Sequence, residues 1–527
     1  MTRAQSKPLI LAALLLAAFV INLDTTLVNV TLPTLTRELG AATTQLQWVV
    51  DAYNLVFAAL LLTCGSFSDR FGRKGMLMGG LVVFGVASFA GGFATSAGEL
   101  VAARAVMGLG AAMTFPATLS LLTGVFTRRD ERALAIGLWG ATGGMAIALG
   151  PIVGGFLLDH YSWASVFSTL GPVSLAVVAL VAVGVPRGAG APDRRLDGPG
   201  LVVSAGFMAV LVYTIIEAPN RGWSSTASVL GFAGSAVLLA AFVVGERRAA
   251  VPMLDVRLFA NMRFTAASAS VTISYFTLFG FIFVMTQYFQ FIRGYSALSA
   301  GVRLLPVAVS VAVGSVLGTR LAIRIGTKAV VSGGLLLQVV FYFWVAANVT
   351  PTFSYGVIAV QMVIYGLGMG LTSAPATESI MGAVARNQAG VGSAINDSTR
   401  LLGGTLGVAV IGSVYASIYR TRVDAAVPGD LPHPLRSAAR DSIGGAYAVA
   451  SRLAGRGQAA AGNLVHHAAT TAFDHGVSVG CVVAGAVAAG GALLSAAFLP
   501  AQPPSAPPST TPATQPAGEP ELAAASD

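Results

Sequence analysis

The sequence predicts an all-α protein that crosses a membrane many times. Hydrophobic residues make up 55% of its 527 residues and charged residues only 10%, whereas a soluble protein carries about 25% charged residues. Mean hydropathy is +0.75. Apolar runs of about 20 residues, the length that crosses a bilayer as a helix, alternate along the chain with short polar connections.

We predict fourteen transmembrane helices. The first apolar run continues for about 25 residues, longer than the core of a cleavable signal peptide, so we interpret it as a retained span. The predicted spans are residues 8–32, 46–66, 76–95, 99–125, 133–157, 163–185, 199–217, 227–245, 264–289, 299–322, 329–348, 354–380, 389–418 and 476–499.

The distribution of Arg and Lys predicts the orientation. Alternate connections, together with the N-terminus, are rich in Arg and Lys, while the opposite short loops hold only Arg37, Arg221 and Arg293. Basic short loops stay in the cytoplasm, so both termini are predicted to be cytoplasmic. The net charge of +9 reflects this bias, and no nucleic-acid partner is expected.

Two sequence patterns recur and indicate an internal duplication. "RFGRK" at Arg70–Lys74 and "RIGTK" at Arg324–Lys328 lie 254 residues apart, and "GLGAAMTFPAT" and "GLGMGLTSAPAT" lie 258 residues apart. Chance similarity between Gly- and Ala-rich helices is the alternative. The predicted organisation is an N-terminal six-helix bundle (1–185), an inserted helix pair (186–250), a C-terminal six-helix bundle (251–500) with an outer loop (420–475) that could form surface helices, and a disordered cytoplasmic tail (501–527).

An acid and a base inside predicted spans attract attention. Asp24 lies in "LDTTLVNVTLP" of span 1 and Arg104 in "LVAARAVMGLGAAM" of span 4. A charge near the bilayer centre costs at least ~3 kcal/mol. Burial favours the neutral form of a carboxyl group, so Asp24 beside a water-filled cavity could bind and release a proton. The alternatives are a static hydrogen bond from Asp24 to span 4 and an Arg104 that snorkels to the outer headgroups.

Three further acids lie in predicted spans. Asp51 is near the outer end of span 2, and Glu378 is near the inner end of span 12, where it could simply reach the cytoplasmic interface. Asp397 precedes Arg400 by three residues in span 13, so these two side chains could form an ion pair along one helix face. The acids that could bind a proton within the predicted spans are therefore Asp24, Asp51, Glu378 and Asp397.

Two more motifs complete a resemblance. "GSFSDRFGRK" joins spans 2 and 3, and "GMAIALGPIVGG" lies in span 5. Together with the Asp24 and Arg104 stretches, they resemble the major facilitator superfamily and, within it, the fourteen-span drug:proton antiporters. The resemblance implies a major facilitator fold with two six-helix bundles plus two inserted helices, and it implies proton coupling by the acids and the arginine.

The resemblance also implies roles for these two motifs. The first would be a cytoplasmic latch between the two halves, with Asp69 meeting the start of span 13 near Gly390; the alternative is a basic loop with one salt bridge. The second is associated with exporters; the alternative is plain helix packing. The latch residues are Gly65, Asp69, Arg70, Gly72, Arg73 and Lys74, and the antiporter motif is Gly150, Pro151, Gly154 and Gly155.

The expected function is proton-coupled antiport that exports hydrophobic drugs or antibiotics, some of them cationic, from the bacterial cytoplasm or inner leaflet. An endogenous lipid, a siderophore or a self-made metabolite is the alternative cargo. No nucleotide-binding G-x-x-x-x-G-K-[ST] pattern is present, so the proton motive force is the expected energy source. We expect no cofactor, no metal and no enzymatic activity. The expected partners are the small-molecule substrates, protons and the lipid of the bacterial inner membrane, with the protein a monomer.

Overall fold

The computed structural model describes residues 6–126, 128–186, 198–249, 252, 256–348, 354–383, 389–427, 431–499 and 501, and some side chains within 62–71, 123–148 and 389–394 are outside this description. Nearly all of these residues are helical. The helices are α1 Lys7–Leu39, α2 Thr43–Phe71, α3 Arg73–Gly91, α4 Ala97–Val125, α5 Arg129–His160, α6 Ala164–Gly184, α7 Gly198–Arg221, α8 Thr226–Arg248, α9 Met262–Gln287, α10 Ala297–Arg303, α11 Leu305–Ile325, α12 Thr327–Asn348, α13 Tyr355–Gly382, α14 Ala389–Ala426, α15 His433–Asp441, α16 Ile443–Gly455 and α17 Ala459–Phe498.

Each predicted span coincides with a helix, but the number of membrane crossings stays a prediction. Within the described residues, twelve helical segments are long and apolar enough to cross a bilayer, with α10 and α11 counted as one segment. The helices α2 and α5 are 29 and 32 residues long and are not among the twelve. The predicted tail of residues 501–527 lies, apart from residue 501, outside the described part of the chain.

Three helices extend beyond the spans predicted for them. The helix α1 continues through Pro33 and ends at Gly40, whose φ of 65° and backbone N–H bond to Leu35 O form a left-handed helix cap. The predicted outer loop of residues 420–475 is mostly helical, because α14 extends to Ala426 and α17 already begins at Ala459. The two short helices α15 and α16 lie between them.

The internal duplication is visible in how helices cross. A Cβ atom on Gly80 of α3 would lie 2.5 Å from Thr114 Oγ1 and 2.7 Å from Gly110 O of α4. The same crossing, with the same two distances, recurs between α12 and α13 at Gly334, Thr372 and Gly368. Such close approach is possible only without a side chain at the crossing point, so one packing solution occurs twice in the chain.

The turns that follow α2 and α11 also match. Gly72 has φ of 104° and Gly326 has φ of 89°, and these residues lie 254 residues apart. Both conformations favour glycine, because a Cβ atom would clash with the backbone. The two basic motifs that predicted the duplication therefore share a backbone geometry as well as a similar sequence.

The first and second bundles meet at the end predicted to face outside. A Cβ atom on Gly155 of α5 would lie 2.6 Å from Leu298 N of α10, and one on Gly301 would lie 2.6 Å from Pro151 C. The glycines therefore allow two backbones from different bundles to touch. We call this contact the α5–α10 crossing.

Polar contacts accompany the α5–α10 crossing. The Asp159 carboxylate of α5 accepts a hydrogen bond of 2.8 Å from Ser296 Oγ, just before α10. On the neighbouring side, the Gln47 amide of α2 donates 3.1 Å hydrogen bonds to Ala409 O and Ser413 Oγ of α14. Together these contacts close the predicted outer end of the molecule.

The short outer helices cover this closed end. Thr43 Oγ1 of α2 donates a 2.9 Å hydrogen bond to Asp441 O at the end of α15. Gly444 of α16 packs against Thr36 of α1 and the ring of Phe291. The outer segment thus contacts both bundles at once.

The inserted pair, α7 and α8, lies against the junction of the two bundles. The helix α7 packs on α2 and on α14, and Val212 and Ile216 of α7 share an apolar cluster with Trp48 of α2 and Ala409 of α14. The pair therefore contacts both bundles at one side of the molecule.

We predict that Gly155→Val opens the outer end. The added side chain overpacks the α5–α10 crossing and destabilises the closed outer end by about 1–3 kcal/mol. Each 1.4 kcal/mol lowers the ratio of closed to open protein about tenfold. The reporter is Ser413→Cys, a position that is 0% exposed, in a protein whose Cys64 and Cys481 are replaced by Ser. Its labelling by a membrane-impermeant maleimide should rise several-fold.

The matched control is Gly234→Val in α8, where an added Cβ atom meets nothing within 4 Å. This variant should leave the labelling rate unchanged. Equal labelling of the parent and a monodisperse Gly155→Val protein would contradict the proposed role of the crossing.

Candidate functional site

Asp24 and Arg104 form a buried ion pair between α1 and α4. Arg104 Nη1 lies 2.5 Å from Asp24 Oδ2, and both side chains are 0% exposed. Asp24 is 17 residues from the start of α1 and 15 from its end, so it lies near the middle of the helix. The interpretation of Arg104 as a snorkelling residue is wrong, because its guanidinium group points to Asp24 and not to a membrane surface.

The helix α2 holds the arginine in place. Arg104 Nε donates a 2.9 Å hydrogen bond to Val49 O, and the guanidinium carbon lies 4.3 Å from the ring centroid of Tyr53. The Tyr53 hydroxyl in turn donates to Ile21 O of α1 at 3.2 Å. Three helices of the first bundle therefore converge on one charge pair, and a cation–π contact supports the base.

Sequence reasoning missed Tyr53. The stretch "WVVDAYNL" contains it, but a tyrosine in an apolar helix usually packs in the core, so the letter alone carries no functional signal. Its position one turn after Val49 on α2 was the available clue, and it became useful only once Arg104 was known to face α2.

The charge pair is only partly satisfied. Within the described residues, Asp24 Oδ1 and Arg104 Nη2 are buried and have no hydrogen-bond partner. The nearby polar groups do not help, because Thr25 Oγ1 donates to Ile21 O and the Asn29 amide donates to Thr25 O. The expected open, water-filled surroundings of Asp24 are therefore not observed in this conformation, in which Asp24 is 0% exposed.

The second bundle has no counterpart of this pair. With the repeat offsets of 254 and 258, Leu278 and Met362 stand where Asp24 and Arg104 stand in the first bundle. Neutral hydrogen bonds fill the neighbouring region: Thr277 Oγ1 donates to Gln338 Oε1 at 2.8 Å, and Tyr342 OH donates to Thr277 O at 2.6 Å. The positions that correspond to the Asp24–Arg104 pair are therefore uncharged in the second bundle.

The antiporter motif lies directly beside Asp24. A Cβ atom on Gly150 would lie 3.0 Å from Leu27 N, and one on Gly154 would lie 3.1 Å from Leu27 O. Leu27 is one turn of α1 beyond Asp24. Because Gly155 on the same helix meets α10, one helix, α5, links the acid-bearing helix to the α5–α10 crossing.

Asp51 is buried alone. Its side chain is 0% exposed, and neither carboxylate oxygen has a hydrogen-bond partner in the described residues. It lies one turn after Gln47, whose side-chain amide donates a hydrogen bond to Ala409 O of α14. A buried acid without a partner is costly in its charged form, so Asp51 remains a candidate for proton binding at the α2–α14 contact.

The other two candidate acids have different surroundings. Glu378 is exposed and lies near Arg263, which agrees with the alternative that it reaches the cytoplasmic interface, and its role in proton coupling stays a prediction. Asp397 forms no ion pair with Arg400 within 4.0 Å, and this part of the sequence prediction is wrong. Instead, Arg400 donates to Thr377 Oγ1 at 3.1 Å and lies over the Tyr275 ring, because both groups flank it on α13 and α9.

The described part of the basic loop binds within the first bundle. Arg73 Nη1 donates to Ser120 O of α4 at 3.2 Å, and Lys74 Nζ donates to Ala182 O and Val185 O at 2.7 Å, at the end of α6. A cation at that place complements the helix dipole. The side chains of Asp69 and Arg70 lie outside the described residues, so the latch between halves, with Asp69 near Gly390, stays a prediction.

A Cβ atom on Gly65 would lie 3.7 Å from Pro116 Cβ, which is an ordinary van der Waals contact. Gly72, in contrast, has a positive φ of 104°, which the turn between α2 and α3 requires.

A small apolar cavity lies inside the second bundle. It measures about 60 Å³ and is lined by Phe281, Met285 and Tyr288 of α9 and its following turn, among others. Phe283 and Phe289 of the same stretch are fully packed. The space accommodates a few waters and not a drug, so this conformation presents no cargo-sized cavity there.

Comparisons with known proteins agree with this architecture. Residues 14–408 match the family described as the Major Facilitator Superfamily. The chain is 35% identical over 490 residues to the multidrug efflux pump LfrA of Mycolicibacterium smegmatis, covering 93% of this chain and 95% of the relative. It is 32% identical to the methyl viologen resistance protein SmvA of Salmonella typhimurium, covering 84% and 89%, and 32% identical to the tetracenomycin C resistance and export protein of Streptomyces glaucescens, covering 91% and 89%.

A solved structure has the same fold. A bacterial homologue of the human lysosomal transporter Spinster, in an inward-facing and unoccupied conformation, superposes with a TM-score of 0.65 at 18% identity, covering 94% of this chain and 98% of the other. The chain therefore belongs to the Major Facilitator Superfamily, and it is a multi-pass bacterial membrane transporter rather than an enzyme.

Proposed function

We propose that the protein is a proton-coupled antiporter that exports hydrophobic small molecules, including cationic ones, from the cytoplasm or inner leaflet of a bacterial cell. The names of three relatives, a multidrug efflux pump, a methyl viologen resistance protein and a tetracenomycin C resistance and export protein, support drug export. The observation that carries proton coupling is the partly satisfied Asp24–Arg104 pair.

The pair suits a proton switch because its two states differ in one strong interaction. Removing one partner of a buried ion pair leaves an uncompensated charge that costs about 3–5 kcal/mol. Protonation of Asp24 cancels its charge and ends its attraction to Arg104. Arg104 then keeps the Val49 carbonyl and the Tyr53 ring, and the unpartnered Nη2 is ready for a new contact. If every polar atom of the pair had a hydrogen-bond partner, Arg104 would exchange its contact with Asp24 for a new one less readily.

The helix α5 offers a mechanical route from the switch to the outer closure. Gly150 and Gly154 fix α5 on the turn of α1 that follows Asp24, and Gly155 fixes α5 on α10. Such backbone contacts leave no room for independent sliding. A shift of α1 would therefore be passed to the α5–α10 crossing, and a change at that crossing would be passed back to the turn of α1 that follows Asp24.

The proposed cycle begins in the conformation described here. With Asp24 charged and paired, the predicted outer end is closed and cargo enters from the cytoplasmic side. After the outer end opens, a proton reaches Asp24 and the cargo leaves. Return of the protonated carrier delivers the proton inward, with about 2.3 kcal/mol for each charge per 100 mV of membrane potential. The proposal includes cytoplasmic termini, an inner-membrane location, a monomeric carrier and Asp51 as a second acid.

An endogenous lipid, a siderophore or a self-made metabolite is the alternative cargo. The same cycle would move it, so the ionisable residues do not separate the alternatives. The relative named for tetracenomycin C export favours a natural product as one member of the substrate range.

We predict that expression in a drug-sensitive bacterial host raises the inhibitory concentration of several unrelated hydrophobic compounds at least fourfold, about two twofold dilution steps. An uncoupler at a non-inhibitory dose should remove the effect because it dissipates the proton gradient. Protection against a single chemical class, with an altered lipid or siderophore profile of the medium, would favour the alternative cargo. Protection that persists with the uncoupler would contradict proton coupling.

We predict that Asp24→Asn abolishes uphill transport and retains exchange. In proteoliposomes with an imposed pH gradient, accumulation of a labelled substrate should fall to background because the site can no longer take up a proton. Exchange of labelled for unlabelled substrate at equal pH should persist, because it needs the alternation of the carrier and no net proton movement. The variant removes one partner of a buried pair, so size-exclusion profiles must first show a monodisperse protein.

The matched control is Glu38→Gln, which neutralises an exposed acid on the same helix. It should retain both activities. Gradient-driven accumulation by Asp24→Asn at the parent rate would remove Asp24 from the coupling role.

A further inference from the structure

A cleft of about 480 Å³ lies between α2, α7 and α8, away from the Asp24–Arg104 pair. Trp48 and Leu55 of α2 form one wall, and Tyr213 of α7 stands opposite, with its ring centroid 6.1 Å from that of Trp48. Gly231 of α8 closes the back, where it packs against Thr214 of α7. The proposed transport cycle does not use this space.

The cleft is apolar at one end and charged at the other. Ala209 and Val210 line the end within the helix pair, while Glu217, Arg221 and Ser228 line the end at the α7–α8 turn. Ala209 and Arg221 are twelve residues apart on α7, so the cleft extends over ~18 Å at 1.5 Å per residue. This length resembles the ~15 Å of hydrocarbon in one leaflet of a bilayer. The lining therefore matches an amphiphile with one apolar chain.

The charged end of the cleft carries one arginine and one carboxylate, Arg221 and Glu217. Arg221 Nη2 donates a 2.5 Å hydrogen bond to Tyr213 OH, and its guanidinium carbon lies 5.1 Å from that ring centroid. Arg221 is thereby held over the mouth of the cleft. Arg420 of α14 donates to Asn220, which donates to Glu217 at 3.2 Å. Arg420 has the acids Asp441 and Glu217 as charged neighbours, whereas Arg221 lines the cleft itself. A guanidinium group binds phosphate well because it can offer two parallel donors.

The cleft opens toward lipid. Only 33% of the apolar window of α7 and 17% of that of α8 are buried inside the protein, so most of this helix pair faces the hydrocarbon. The turn after Arg221 connects two membrane-spanning helices and so lies at the headgroup level. Ala209 and Ala227, which line the cleft, are exposed. A lipid can therefore enter sideways without displacing a helix.

We infer that this cleft binds an anionic glycerophospholipid, with one acyl chain between α2, α7 and α8 and its phosphate on Arg221. The wall supplied by α2 also contacts α14 through Gln47. A lipid seated here touches the helix that joins the two bundles at the closed end, and it stabilises this conformation over one in which α2 moves away.

The test uses fluorescence quenching of Trp48 by lipids with brominated chains. Trp139, Trp163, Trp223 and Trp344 are replaced by Phe, which leaves Trp48 as the single tryptophan. In phosphatidylcholine bilayers, brominated phosphatidylglycerol should reach half-maximal quenching at a several-fold lower mole fraction than brominated phosphatidylcholine. Arg221→Gln should abolish this preference, and Ala227→Phe should reduce quenching by both lipids because the new ring fills the cleft.

Two controls separate the cleft from the general lipid annulus. A variant that keeps only Trp344 on α12 should be quenched equally by both lipids, and Arg452→Gln, an exposed arginine of α16, should retain the preference at Trp48. Native mass spectrometry of the unmodified chain, which should retain phosphatidylglycerol in preference to phosphatidylcholine, provides a second measurement if the single-tryptophan protein does not fold.

Several outcomes would overturn the inference. Equal quenching of Trp48 by both lipids, or a preference unaffected by Arg221→Gln, would show that no phosphate site exists. Recovery of Trp48 fluorescence on addition of tetraphenylphosphonium would assign the cleft to cationic cargo. Competition by soluble glycerol phosphate alone would indicate an anion site without a chain site.

Discussion

Opposite charges buried side by side in the first bundle constrain everything around them. Asp24 and Arg104 are each too costly to hold alone inside a membrane protein, and their mutual attraction at 2.5 Å offsets much of that cost. The attraction requires α1 and α4 to stay in register. It also requires α2 to supply the Val49 carbonyl and the Tyr53 ring, so the packing of three helices is set by one ion pair.

Glycine determines how this constraint extends through the molecule. Contacts in which a missing Cβ lets two backbones meet hold α5 against both α1 and α10. Side chains at such places could repack gradually, but a backbone contact is either made or lost. The same kind of glycine-mediated backbone contact occurs twice in the chain, at the crossings of α3 with α4 and of α12 with α13. The second bundle repeats these crossings without the charges, since Leu278 and Met362 occupy the corresponding positions. Duplication thus preserved the packing, while the charged pair occurs at these positions in the first bundle and not at the corresponding positions in the second.

Particular residues show how far sequence reasoning extends. Hydropathy located the helices, and Asp24 and Arg104 stood out because charges are rare in apolar runs. Their direct contact needed the structure, since the spacing of 80 residues carries no geometric information. The helix α1 continues beyond the predicted span, through Pro33 to its cap at Gly40, because hydropathy reports the apolar part of a helix and not its cap. The Asp397–Arg400 pair was predicted from helical spacing and failed, because Thr377 and Tyr275 compete for the arginine. Spacing along one helix cannot reveal competitors on the neighbouring helices.

The central claim is that Asp24 itself takes up the transported proton. Infrared difference spectroscopy of the reconstituted protein, recorded between high and low pH, reports protonated carboxyl groups through their C=O stretching band. The account predicts a band on acidification that disappears in Asp24→Asn and shifts in frequency when Arg104 is replaced by Lys. A carboxyl band that is identical in the parent and in Asp24→Asn would contradict the account and would assign the proton to another acid, such as Asp51.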